Sequence, residues 1–337
     1  MSSAPTSEEI AADARWLAHA LDPGSGQARL LAMESEAYRA ASFLDDRMLQ
    51  QPIDAQIVPW PLVEEAAAKV GRSDARWIYH IGHVGSTLVS RLLGEIPRVL
   101  ALREPRLLRD LAMIPAPLRD RYVGPTPALM SRTFAEDELA CVKATSLVSE
   151  IAPLLVPRGE RALLMFATPR NYVASILAGE NSIKELRMLA EPRAERLGGR
   201  GILLPDARND AELAALAWAC EMISLESATQ AMGDRRLMWA DFDTMLQRMP
   251  SALREVVDHF GFTADDATLG AICSGPLMSS YSKALEYEYS ADLRRELIAE
   301  QQRYHGPQID GALAMLHRAA EKSPLLQRAL SRAEAGD

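Results

Sequence analysis

A glycine-bearing turn that leads into a helical segment is the part of this sequence best suited to chemistry. The segment HIGHVGSTLVSRLL spans residues 80–93 and continues the β-branched and aromatic run WIYHI at 77–81. Where a strand turns through glycine into a helix, main-chain N–H groups and the helix dipole together favour an anion. Gly82 and Gly85 permit the turn, and Ser86 and Thr87 add hydroxyl donors. The pattern predicts an anion-binding loop, with a plain structural turn as the alternative.

The loop departs from the pattern of ATP- and GTP-hydrolysing enzymes. Their motif, G-x-x-x-x-G-K-[ST], has a lysine directly before the final hydroxyl residue, and Ser86 occupies that place here. The sequence also offers no obvious acidic partner for Mg²⁺. A nucleotide-dependent P-loop kinase is therefore kept only as an alternative.

An α/β framework must position the loop, because short apolar runs alternate with helical segments through much of the chain. These runs are WIYHI (77–81), RVLALRE (98–104), ACVKATS (140–146), RALLMFAT (161–168) and RRLMWADF (235–242). Strands that alternate with helices form a mostly parallel sheet with right-handed crossovers. The prediction is a three-layer α/β fold with about five strands and helices on both faces.

The segments before and after this framework are predicted to be helical. Residues 7–70 carry apolar side chains at three- and four-residue spacing, with breaks at 23–26 and 52–61. We therefore expect a helical N-terminal extension, 1–72, followed by an α/β domain, 73–337, that ends in a helical C-terminal segment. Within that domain, the basic stretch 184–208 is either a solvated helix with a turn or a lid over an anionic ligand.

Three segments together resemble bacterial sulfotransferase-like P-loop proteins. GHVGSTLVSRLL, followed after one helix by LALREPRLLRDL, is similar to the family's opening: strand, basic residue, x-G-[ST]-[ST], helix, and a Glu-Pro pair ending the second strand. TPRNYVASILAG (168–179) resembles the second signature, R-x-P-x-x-x-x-x-S. RRLMWADFDTMLQRMPSALREVVDHFGF resembles the late strand-loop-helix segment. The resemblance covers about residues 76–265 and implies the sulfotransferase P-loop fold.

The resemblance implies a donor, a product and a class of acceptor. The donor is 3′-phosphoadenosine 5′-phosphosulfate (PAPS), the product is PAP, and the acceptor is a small molecule with a hydroxyl or amine. His83 takes the place of the family's loop lysine or arginine, which neutralises the leaving phosphate. The residues that would hold the 5′-phosphosulfate are Gly82, His83, Val84, Gly85, Ser86 and Thr87.

The second signature implies a site for the 3′-phosphate of the donor. Ser175 occupies the serine position of that signature, and Ala167 stands where the family has an arginine. Arg170, the one cation of the turn, is expected to take the place of that arginine. Lys283 is expected to contact a phosphate from the C-terminal segment. A non-catalytic or repurposed binding protein of the same fold is the alternative, and Ala167 is its best support.

Glu104 is the candidate general base. It ends the second predicted strand, and ligands gather at the carboxyl ends of parallel strands. A carboxylate in reach of the acceptor can remove its proton without a metal. The alternative is a structural ion pair with Arg103, Arg106 or Arg109. Lys143, at the next strand end, either stabilises charge on the transferring group or neutralises Glu104.

Composition limits the partners and the compartment. With 37 Lys and Arg against 46 Asp and Glu, the net charge of the 337-residue chain is −9, which disfavours nucleic acid and membrane surfaces. Three widely spaced cysteines and scattered histidines predict no disulfide framework and no metal site. The N-terminus does not read as a signal peptide, and no apolar run approaches the ~20 residues that span a bilayer. We expect a cytoplasmic protein, and whether it forms a homo-oligomer stays open.

Overall fold

The computed structural model describes residues 4–279 and 290–335, and its centre is a five-stranded parallel sheet. The strands are β4 (Arg76–His80), β5 (Val99–Arg103), β6 (Leu139–Lys143), β7 (Arg161–Phe166) and β8 (Arg236–Asp241), in the order β5-β6-β4-β7-β8. Four of them are buried almost throughout, which explains why they read as continuous apolar runs. The predicted α/β fold with five parallel strands is confirmed.

The N-terminal part is not the all-helical extension that the spacing predicts. It contains an antiparallel sheet of β1 (Trp16–Asp22), β2 (Gln27–Ala32) and β3 (Ala55–Pro59), together with α1 (Ser7–Ala12), α2 (Ser35–Ala40) and α3 (Trp60–Lys69). Five consecutive residues of β1 are buried. A strand buried on both faces has no period of two, so the apolar run of β1 is equally compatible with a buried helix. The predicted break at 23–26 is the turn that joins β1 to β2.

Helices cover both faces of the parallel sheet and form the C-terminal region. After the N-terminal three they are α4 (Ser86–Gly94), α5 (Arg106–Met113), α6 (Ala116–Arg119), α7 (Thr126–Met130), α8 (Ala152–Leu155), α9 (Pro169–Leu177), α10 (Glu180–Met188), α11 (Ala190–Gly198), α12 (Asp210–Met232), α13 (Phe242–Gln247), α14 (Met249–Phe260), α15 (Asp266–Cys273), α16 (Ala291–Tyr304), α17 (Gly306–Ala320) and α18 (Pro324–Glu334). Short 3₁₀ turns occupy Asp46–Gln50, Ser146–Ile151 and Pro276–Met278. Within α12, Trp218 is fully buried, so this helix belongs to the core.

Two buried arginines attach the N-terminal part to the parallel sheet. Arg103, at the end of β5, donates to the main-chain carbonyls of Tyr38 and Ala41. Arg132 donates to the carbonyls of Ile10 and Trp16. Burial lowers the pKa of Arg103 to about 10. These carbonyls compensate the buried charge of the arginines. The buried apolar residues of the two sheets form one continuous core.

The basic stretch 184–208 is mostly helical, and carboxylates neutralise its arginines. It comprises most of α10, all of α11 and the turn that follows. Arg193 and Arg196 pair with Glu221 of α12, and Arg196 and Arg200 pair with Glu150. These contacts attach α11 to the core helix α12.

Candidate functional site

A cleft of about 600 Å³ opens at the carboxyl ends of the central strands. Its floor is the predicted loop after β4, and its walls include the ends of β5 and β6, helix α9 and helix α16. Ligands in open parallel sheets bind at this edge, and the volume suits a ligand of nucleotide size. The loop, Glu104 and Lys143 all line this cleft.

The loop takes an unusual backbone conformation. Gly82 and Gly85 have φ of +81° and +60°, and His83 between them has φ of +54° although it is not glycine. Non-glycine residues seldom take this conformation, and those that do often lie at functional sites. The ring of His80 fixes the turn, since its Nδ1 accepts a hydrogen bond of 2.9 Å from the Gly82 N–H. The Tyr172 hydroxyl, 3.5 Å from the Ile81 carbonyl oxygen, supports the turn from α9.

The loop delivers the N-terminus of α4 to the cleft. Gly85 is the N-cap residue and supplies no side-chain hydrogen bond to the first turn, so the opening N–H groups of the helix lack an intrahelical acceptor. Ser86 and Thr87 are nearly buried but line the cleft with hydroxyl groups. The ring of Phe242 packs directly against Gly85, because a Cβ built on Gly85 would lie 1.9 Å from that ring. This geometry is that of an anion cradle.

Glu104 and Lys143 form an ion pair inside the cleft. The Lys143 ammonium donates to the Glu104 carboxylate, and the side chains are 1% and 13% exposed. Glu104 has φ of +53°, and its N–H donates to the Lys143 carbonyl at 2.7 Å. Main-chain and side-chain contacts therefore both fix this carboxylate at the end of β5. Of the two roles predicted for Lys143, the pairing with Glu104 is the one that the geometry displays.

The arginines considered as partners of Glu104 contact other groups. Arg103 donates to main-chain carbonyls, whereas Arg106 and Arg109 pair with Asp46. Beside the ion pair, Phe43 and Arg47 form the wall that the N-terminal part contributes to the cleft, with the Arg47 guanidinium 3.5 Å from the ring centroid. Sequence reasoning missed this wall, because nothing in the sequence around Phe43 indicates that it lies beside Lys143 at the end of β6.

The second signature contributes its serine to the cleft but not its cation. Ser175 lines the cleft, and its Oγ donates to the Tyr172 carbonyl at 2.8 Å. Arg170 points away, is 45% exposed, and pairs with Asp310 at 2.6 Å. Ala167 is fully buried, and its carbonyl accepts from the Trp218 indole at 2.9 Å. An arginine at position 167 would be enclosed against α12, and the structure does not bring Arg170 into the cleft in its place.

Arg294 of α16 is a cleft cation that sequence reasoning missed. Its Nε donates to Asp243 at 2.7 Å, and its guanidinium lies 5.0 Å from the centroid of Phe242, the ring that covers Gly85. Its Nη2 is buried and has no hydrogen-bond partner among the described residues. No motif marks this residue in the sequence. Lys283, the residue predicted from the same region, lies outside the described residues.

The described residues contain no group of three or more His, Cys, Asp or Glu side chains arranged to hold a metal ion. Within residues 4–279 and 290–335, no helix has the length and apolar content needed to cross a membrane.

No family model and no curated protein matches this sequence. Solved structures do match. The sulfotransferase domain from the curacin biosynthetic pathway is 12% identical, with a TM-score of 0.41 over 69% of this chain and 96% of that one. Mouse sulfotransferase SULT7A1, complexed with PAP, is 11% identical, with a TM-score of 0.41 over 79% and 90%. Sulfotransferase STF9 from Mycobacterium avium is 11% identical, with a TM-score of 0.37 over 71% and 78%. The fold assignment here rests on the strand order and connections described above.

Proposed function

We propose that this chain is a cytoplasmic PAPS-dependent sulfotransferase that modifies a hydroxyl or amine of a small acceptor. The observation that carries the proposal is that one cleft contains both an anion-binding loop and a fixed carboxylate. An anion cradle without a P-loop lysine lies at the end of β4, and a fixed carboxylate lies at the end of β5. Transfer of a charged group to a neutral nucleophile needs both, one for the donor and one for the acceptor proton.

The proposed reaction uses the cleft residues as follows. The acceptor oxygen or nitrogen attacks the sulfur of PAPS, the bond from sulfur to the bridging phosphate oxygen breaks, and PAP leaves. Glu104 takes the acceptor proton. The N–H groups at the start of α4, with Ser86 and Thr87, hold the leaving phosphate. Lys143 orients the Glu104 carboxylate.

Arg294 is the residue that we assign to the 3′-phosphate, together with Ser175. A phosphate monoester carries nearly two charges, and a serine hydroxyl cannot compensate its desolvation alone. Arg294 reaches the cleft with one buried nitrogen that has no partner in the described part of the chain, whereas Arg170 is occupied by Asp310 at the surface. The role predicted for Arg170 therefore passes to Arg294 in this proposal.

A non-catalytic binding protein is the second candidate, and one observation favours it. The Glu104 carboxylate is already held by Lys143, and this pair would serve equally well as a structural contact. In that case the cleft would bind an anionic nucleotide without transferring a group. The kinase alternative is weaker, because Ser86 occupies the lysine position of the kinase motif.

Calorimetric titration with PAP in the presence of EDTA tests donor binding. We expect binding without Mg²⁺, and at a hundred times Kd the ligand should stabilise the fold by roughly 2.7 kcal/mol. ATP or GTP that binds only with Mg²⁺, with no binding of PAP, would contradict the proposal and favour a kinase.

Turnover of radiolabelled PAPS with a panel of hydroxyl and amine acceptors tests the chemistry. We expect Glu104→Gln to keep PAP affinity and to lose about 10²–10⁴-fold in rate. Glu95→Gln, which removes an exposed carboxylate outside the cleft, is the matched control. Tight PAP binding without turnover of any acceptor would favour the binding protein.

A further inference from the structure

We propose that anion binding at the loop is coupled to a proton on His83, and that Glu185 is the positioning residue that stabilises the protonated ring. The inference rests on the proposed function for its nucleotide probe, PAP. It concerns the cation of the loop, which in this chain is an imidazole and not a permanently charged side chain. An imidazole titrates near neutral pH, so the charge of this loop can change under ordinary conditions.

The backbone and two side chains fix the position of His83. Its φ of +54° places it between Gly82 and Gly85 on the loop that lines the cleft. Its ring meets the ring of Tyr172 edge to face, with centroids 6.4 Å apart. Its Nε2 lies 3.9 Å from Oε2 of Glu185, on α10. At that separation the carboxylate attracts an imidazolium.

Glu185 is the carboxylate that the described part of the chain brings close to the His83 ring. Tyr172 is neutral, because burial raises the pKa of its hydroxyl. Near that hydroxyl, Arg193 and Glu221 pair with each other at 3.3 Å.

Other ionisable groups that line the cleft contact partners of their own among the residues described by the structure. Across the cleft, Lys143 pairs with Glu104, and Arg294 pairs with Asp243. His80 in the same turn accepts from the Gly82 N–H through Nδ1, an arrangement that suits the neutral ring.

A bound anion and Glu185 both favour the protonated form of His83, so ligand binding should take up a proton above neutral pH. The affinity should then fall by up to tenfold for each pH unit above the midpoint of the His83 titration. The Glu185 carboxylate, 3.9 Å from the ring nitrogen, adds to this preference by attracting the imidazolium. Glu185→Gln should therefore shift the affinity profile to lower pH.

The test is calorimetric titration with PAP between pH 6.0 and 8.5. The phosphates of PAP titrate near pH 6 themselves. His83→Lys is therefore the reference, because PAP titrates in the same way with this variant while residue 83 stays positively charged. We expect the native affinity, relative to His83→Lys, to fall at least tenfold from pH 6.5 to 8.5. Glu180→Gln, an exposed carboxylate at the start of the same helix, should leave the profile unchanged.

Proton nuclear magnetic resonance of the His83 ring, assigned by its loss in His83→Gln, gives a second readout. Its titration midpoint should rise on addition of PAP and fall in Glu185→Gln. Equal pH profiles for the native chain and His83→Lys would overturn the inference and leave PAP binding standing. If PAP binds at no pH but inorganic pyrophosphate binds with the expected pH dependence, the inference survives and the proposed function fails. A His83 midpoint that neither PAP nor pyrophosphate moves overturns it.

Discussion

Replacing Gly85 with alanine should destabilise the fold much more than the same change at Gly82. Both glycines have positive φ, a conformation that costs an L-residue about 1–2 kcal/mol. Nothing lies within 4 Å of a Cβ built on Gly82, whereas at Gly85 the new atom would lie 1.9 Å from Cζ of Phe242. That ring is 1% exposed, so it cannot yield without displacing its neighbours, and overpacking adds about 1–3 kcal/mol. We expect losses of about 1–2 kcal/mol at Gly82 and about 2–5 kcal/mol at Gly85.

Urea denaturation of four variants measures the two contributions separately. The variants are Gly82→Ala, Gly85→Ala, Phe242→Leu and the double variant at 85 and 242. Leucine lacks the outer ring atoms that meet the new Cβ, so the loss in the double variant should be smaller than the sum of the single losses by about 1–3 kcal/mol. The m-values should stay equal, so that the differences report stability alone.

Two results would refute this reasoning. The first is a Gly85→Ala variant no less stable than Gly82→Ala. The second is strict additivity at positions 85 and 242, which would mean that the ring does not pack on the loop. Either result would mean that Phe242, at the start of α13, does not hold the start of α4 in place, and would contradict the shape assigned to the anion cradle.

Three further predictions concern the ion pair, the cleft cation and the cysteines. Lys143→Met should cost about 3–5 kcal/mol in urea denaturation, because a nearly buried carboxylate loses its partner, and adding Glu104→Gln should recover part of that loss. Arg294→Ala should weaken PAP by about 1.5–3 kcal/mol in calorimetry while Arg170→Ala leaves it unchanged; equal losses would contradict the assignment. At pH 8 a thiol reagent should modify Cys273 in the native chain, whereas the two buried cysteines, whose pKa burial raises to about 12, should react only after unfolding.

The parallel sheet could be predicted because each of its strands is a short apolar run bounded by polar residues. The same rule fails for β1, whose run WLAHALD is buried at five consecutive positions. Such a run is compatible with a buried helix as well as a strand, and only pairing decides. β1 pairs with β2, which in turn pairs with β3, and the local pattern around β1 does not contain these partners.

Some residues of the site can likewise be predicted from the local sequence, and others cannot. The loop and Glu104 follow directly from strand ends, and parallel pairing of β5 with β6 then brings Lys143 beside Glu104. The cleft cation Arg294 could not be predicted, because its position depends on contacts between elements that are distant in the sequence. Arg170 is held away by Asp310, 140 residues later in the chain, and Arg294 is held in the cleft by Asp243.

A crystal structure of the chain with PAP tests the central claim most directly. The account predicts the 5′-phosphate within hydrogen-bond distance of the N–H groups of Ser86 and Thr87, and the 3′-phosphate on Ser175 and Arg294. The Glu104 carboxylate should face the open side of the 5′-phosphate, where an acceptor would stand. A 5′-phosphate bound away from the start of α4, or a Glu104 shielded from it by protein, would contradict the account.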